Sequence, residues 1–232
     1  VDGGCGVKTD STWKYSLNGP LIAGDIYDGE SYGARRVPAD WESAVEDKSV
    51  QVSLVPFEGP EVRVRDERLW QEPQSIVIYH DIVDTGTKYG KIKADRIVRN
   101  KSFKLCQGET AVVDFGQNMV GWVLFKAKAR SGTVVTLRHG EMLNENGDHD
   151  GRLEDGPGGS VWTYNLRQAD AKVSYTFRGD AKGETYHPTH TFMGFRYVSI
   201  TATDDVEIVR LTGQVVGSDI AEWGEFSCSD AS

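Results

Sequence analysis

Asp114-Phe115-Gly116-Gln117-Asn118-Met119-Val120-Gly121-Trp122 follows the β-branched run Ala111-Val112-Val113 and leads into an alternation around Trp122, Leu124 and Lys126. This stretch decides the fold. An apolar run, a Gly-Gln-Asn cluster and a second alternating run read as strand, tight turn and strand. Gln117 and Asn118 are expected to close that turn by bonding nearby backbone groups. Working outward, the same β pattern recurs at residues 133–138, 173–178, 195–201 and 206–216, with turn residues at Arg178-Gly179-Asp180 and Thr203-Asp204-Asp205. No segment sustains a helical period. Many short strands that bury one side and solvate the other predict an all-β, antiparallel β-sandwich of concanavalin-like or jelly-roll type.

Asp114-Phe115-Gly116 alone also spells the metal-binding triplet of protein kinases. A kinase further requires a Gly-rich phosphate loop, a strand lysine paired to a helix glutamate and a His-Arg-Asp catalytic loop, in that order. None of these occurs in the sequence.

The 232 residues suffice for one large or two modest domains. A hydrophobic fraction of 38% with 26% charged residues belongs to a globular protein rather than a disordered tail, and no apolar run is long enough for a membrane span. The formal net charge of −9, with basic residues dispersed among acids, argues against a nucleic-acid partner. Cys5, Cys106 and Cys228 are too widely spaced for a metal-binding pair or a disulfide framework, leaving room for one bridge at most. The sequence starts at Val1 without a signal peptide and ends on small polar residues, so it is expected to be a mature or cut piece.

Residues 12–15 and 50–56 look like strands flanking a polar turn region at 25–35, and Glu58-Gly59-Pro60 breaks the pattern. The expected organisation is part of an N-terminal β-sandwich domain at 1–58, the main sandwich at 59–221 and the start of a linker at 222–232. The Gly-rich stretch 148–159 is expected to be a long loop, of a length that is usually functional or mobile.

Several collinear motifs resemble the bacterial α-L-rhamnosidases of glycoside hydrolase family 78. Trp13-Lys14-Tyr15-Ser16, Gly19-Pro20-Leu21-Ile22 and Asp25-Ile26-Tyr27-Asp28-Gly29-Glu30-Ser31-Tyr32 resemble the end of that family's N-terminal domain, and Glu58-Gly59-Pro60-Glu61-Val62 resembles its linker. The 114–122 stretch, Thr136-Leu137-Arg138-His139-Gly140-Glu141-Met142-Leu143, Asn165-Leu166-Arg167, Gly183-Glu184-Thr185-Tyr186-His187-Pro188 and Gly194-Phe195-Arg196-Tyr197-Val198 resemble its concanavalin-like sandwich. Two departures stand out: Gly33 occupies a position where the family usually has Asp, and 150–163 is unusually Gly-rich.

The resemblance implies an inverting glycosidase whose two carboxylates lie in an (α/α)6 barrel beyond Ser232. It therefore implies no catalytic pair in this chain, the absent barrel of the same polypeptide and rhamnose-containing glycans as partners, and a periplasmic or secreted rather than cytoplasmic location. Some relatives carry a calcium-dependent rhamnose-binding module, so an autonomous binding module is the alternative function.

Three carboxylates, Asp25, Asp28 and Glu30, fall within one turn and could supply oxygens to Ca²⁺, the only cofactor suggested. Turn capping by the same acids is the plainer alternative. Sugar recognition pairs an exposed aromatic with hydrogen-bonding polar groups. Trp162 with Asn165 is the preferred platform, and Trp41 and Trp70 are further candidates, against half-buried packing. His139 and Glu141 are expected to orient one another at a strand end, and His187 and His190 to be turn residues. Arg196, in a partly buried strand, needs a carboxylate or carbonyl acceptor. A hydrolase built on Glu141 and Glu184 is disfavoured, since nothing places two acids in one cleft.

Overall fold

The computed structural model describes residues 9–49, 55, 58–99, 102–145, 153–221, 224 and 226–229. Its strands are β1 (Lys14–Tyr15), β2 (Leu21–Asp25), β3 (Gly29–Gly33), β4 (Glu42–Ser43), β5 (Val62–Val64), β6 (Ser75–Val83), β7 (Lys91–Val98), β8 (Phe103–Leu105), β9 (Thr110–Ala129), β10 (Val134–Gly140), β11 (Met142–Leu143), β12 (Val161–Trp162), β13 (Lys172–Thr176), β14 (Glu184–Tyr186), β15 (Met193–Ala202) and β16 (Val206–Ser218). Two single-turn 3₁₀ helices, Glu67–Leu69 and Tyr164–Leu166, complete the regular structure of the described residues. The expected strand within 50–56 lies almost wholly outside them, as does Cys5; Cys106 is a free thiol.

Strand β9 organises the molecule. Its first part, 110–114, pairs with β6 on one side and with residues 197–201 of β15 on the other. Its second part pairs with β16, β14 and the start of β15. Between the two parts, residues 115–118 face the single Arg196 across the ladder, a bulge that bends the strand from one layer into the other. The expected tight turn at Gln117 and Asn118 is therefore corrected: the chain does not reverse there, and β9 runs unbroken for 20 residues. Gly116, at φ +81°, supplies the left-handed backbone of the bulge, and the Gln74 side chain fills the space where a Cβ would stand.

Alternation in the second part of β9 turns Met119, Val123, Phe125 and Ala127 inward. Phe125 meets Tyr175 of β13 edge-on at 5.5 Å, a contact between strands that are not ladder neighbours, so two sheet layers face one another. The all-β sandwich expected from the sequence is borne out. Its hydrogen-bonded ladder holds 12 strands and is mixed rather than purely antiparallel, because β13 pairs with β3 in parallel. The region expected to be a polar turn, 25–35, instead contains most of a β2–β3 hairpin, which extends the large sheet at one edge.

Candidate functional site

The β9 bulge brings together polar side chains from β9, β15 and the β10–β11 junction that lie far apart in sequence. Arg196 of β15 makes a two-pronged bond to Asp114, with Nε 2.8 Å from Oδ1 and Nη2 2.9 Å from Oδ2. This is the acceptor that a partly buried guanidinium demands. Burial pushes the Asp114 carboxyl up, but Arg196 and the Gly116 N–H outweigh it and hold the group below its ordinary value. Arg196 also lies over the Tyr197 ring at 4.9 Å.

On the outer side of the bulge, Asn118 Nδ2 donates to Glu141 Oε1 at 2.9 Å. Asn165 Nδ2 reaches the other oxygen of the same carboxylate at 3.4 Å. Glu141 stands where the chain breaks between β10 and β11, and that break rotates it away from His139. The expected His139–Glu141 pair does not form. His139 is instead sealed in the core, its Nδ1–H donating to Ala171 O at 3.0 Å and its ring edge-on to Phe195. Burial drives the ring pKa down to about 4, against a smaller opposite effect from the Ala171 carbonyl.

Trp162 and Asn165 do share a neighbourhood. Trp162 lies in β12, opposite Met142 of β11, and its indole N–H donates to Leu153 O at 2.8 Å, which ties the ring to the Gly-rich segment. Tyr164, which sequence reasoning passed over, is 53% exposed between them. Trp41 is exposed beside β4, which pairs with β1 in a two-stranded sheet separate from the β11–β12 pair that holds Trp162. Trp70 is half-buried and bonded to Arg65 O, as packing would have it.

The acids at the N-terminal hairpin part company. Asp25 accepts the N–H groups of Tyr27 and Asp28 at 2.7 and 2.9 Å, closing the hairpin turn, and Asp28 Oδ1 accepts Asp170 N at 3.3 Å. Glu30 faces inward: it is 3% exposed and accepts the Tyr186 hydroxyl and the N–H groups of Thr189 and His190. The three carboxylates do not converge, and among the described residues no group of three His, Cys, Asp or Glu side chains is arranged to hold a metal. Asp25, Asp28 and Glu30 thus do not fit Ca²⁺ as a set.

Glu184 is also consumed by structure. It is 4% exposed and accepts from the Tyr175 hydroxyl and the N–H groups of Arg178, Gly179 and Asp180. Burial raises its pKa, but those donors prevail and hold it below the ordinary value. His187 stacks flat on Trp122 at 5.3 Å, and the Cβ of His190 packs against Gly24 of β2. Among the described residues no helix is long and apolar enough to cross a membrane.

Residues 104–217 match the bacterial α-L-rhamnosidase concanavalin-like domain, and residues 4–76 match the α-L-rhamnosidase N-terminal domain. An α-L-rhamnosidase of Streptomyces avermitilis is 33% identical over 195 residues, which cover 84% of this chain and 16% of the relative. A crystal structure of an S. avermitilis α-L-rhamnosidase complexed with L-rhamnose superposes with a TM-score of 0.57 at 28% identity, over 87% of this chain and 16% of that one. The α-L-rhamnosidase of Dictyoglumus thermophilum gives a TM-score of 0.62 at 25% identity, over 96% of this chain and 22% of its own. The chain spans less than a quarter of the length of each. With both family domains matched in order along its sequence, the chain belongs to the bacterial α-L-rhamnosidase family.

Proposed function

We propose that this chain is the non-catalytic β-sandwich portion of an α-L-rhamnosidase, which supports the catalytic barrel and contacts carbohydrate. The parent enzyme removes terminal α-L-rhamnosyl groups with inversion, using two carboxylates of the barrel. One observation carries the reading: the alignment with the Streptomyces avermitilis α-L-rhamnosidase takes in 84% of this chain but 16% of that relative. The chemistry agrees, because the carboxylates of Glu30 and Glu184 are buried and occupied by structural donors in the core. In this reading residues 59–221 form the sandwich and 222–232 lead toward the barrel.

The test uses a nitrophenyl α-L-rhamnoside. The isolated chain is expected to release no nitrophenol, whereas the complete parent, expressed from the gene that encodes this segment, releases it. Release by the chain alone, lost on Glu141→Ala, would overturn the reading.

A further inference from the structure

The bulge in β9 has chemical as well as mechanical content. Of the residues opposite Arg196, Phe115 goes into the core while Gln117 and Asn118 are pushed out into solvent. There Asn118 meets Glu141 and Asn165, side chains delivered by three separate segments to one carboxylate. A carboxylate only accepts, so both amides must turn their NH₂ groups toward Glu141. Their carbonyl oxygens are consequently left to accept from other donors, as are the remaining lone pairs of the carboxylate.

Fold stability does not account for this arrangement, since exposed polar pairs of this kind contribute little. Access is open from the side of β15, where Gly194 places no side chain over the carboxylate; a Cβ there would stand 3.4 Å from Glu141 Oε1. Trp162 and the exposed Tyr164 add aromatic surface within three residues of Asn165. Such a group of acceptors calls for a ligand that brings hydroxyl donors. The carboxylate repels anions, and the NH₂ groups that face it keep a cation off those oxygens.

We propose that Asn118, Glu141 and Asn165 form a binding site for adjacent hydroxyls of a neutral sugar, with Tyr164 or Trp162 against the ring. The inference rests on the carbohydrate contact proposed above and assigns it to these residues.

The test is a titration of the whole 232-residue chain with L-rhamnose, followed by the side-chain amide NMR signals of Asn118 and Asn165. Asn118→Ala and Asn165→Ala identify the two signals. Both are expected to move together, with a dissociation constant on the order of 1–10 mM. Glu141→Gln turns a third amide toward the other two and should weaken binding by roughly tenfold or more, with the urea midpoint unchanged. Stationary amide signals, shifts confined to another face, or Glu141→Gln binding as tightly as the wild type would each overturn the site. The rhamnosidase reading is judged on the parent's hydrolysis, so a silent titration removes this site and leaves that reading standing.

Discussion

His139 shows how a single side chain can make a β core sensitive to acid. Its ring is fully buried, donates once to Ala171 O, and leaves Nε2 without a partner among the described residues. The folded state therefore holds the neutral ring, with a pKa of about 4 against 6.5 when unfolded. Between those values the unfolded chain binds the extra proton, so stability is full above about pH 6.5 and is lost as the pH falls through 4. The loss should reach about 3 kcal/mol, read from urea midpoints between pH 7 and 4, and His139→Phe should remove most of that slope. At this scale the sequence was legible where burial alone dictated a need: Arg196 had to find an acceptor, and Asp114 is it. It was silent where two residues meet only through a register. Asn118 looked like a turn-closing side chain because its partner, Glu141, lies 23 residues further on, and Asn165, which bonds the same carboxylate, another 24 beyond that.

Elements were read well where runs rich in Val, Ile and Thr marked them, as in β10, β13, β15 and β16, and badly at the Gly-Gln-Asn cluster inside β9. Gly116 with φ +81° suits a tight turn and a bulge equally, and only the pairing of Asp114 and Met119 with the same strand, β15, decides for the bulge. The hairpin β6–β7 went unrecognised because its protruding end is exposed on both faces, with Ile82 and Val83 beside charged residues. Tertiary spacing also hides in glycines. Gly121 of β9 lies so close to β16 that an added Cβ would stand 1.9 Å from the carbonyl oxygen of Gln214. Gly121→Ala must push the two strands apart, and a loss of about 3 kcal/mol in thermal or urea unfolding is expected. Gly19→Ala, with nothing within 4 Å of the new methyl, should leave the midpoint unchanged.

Across the whole molecule, order along the chain identified the family before any contact was known, because several motifs in sequence are harder to meet by chance than one. What order could not reveal is how the N-terminal segment is attached. Strand β3 pairs in parallel with β13, and its own Glu30 collects the Tyr186 hydroxyl and two backbone N–H groups. Glu30→Gln would set an amide NH₂ against those donors and should cost about 2 kcal/mol in urea unfolding, with amide exchange quickening at Tyr32 and Lys172. Tyr186→Phe should cost less, since one donor is removed and the carboxylate keeps the others. Glu30 and Tyr186 stand 156 residues apart in sequence. On the ribosome the β2–β3 hairpin is made well before its anchor, so Leu21 and Ile22 wait while the intervening strands are still being made, and closure of so long a loop should be a late and slow step in folding of the sandwich.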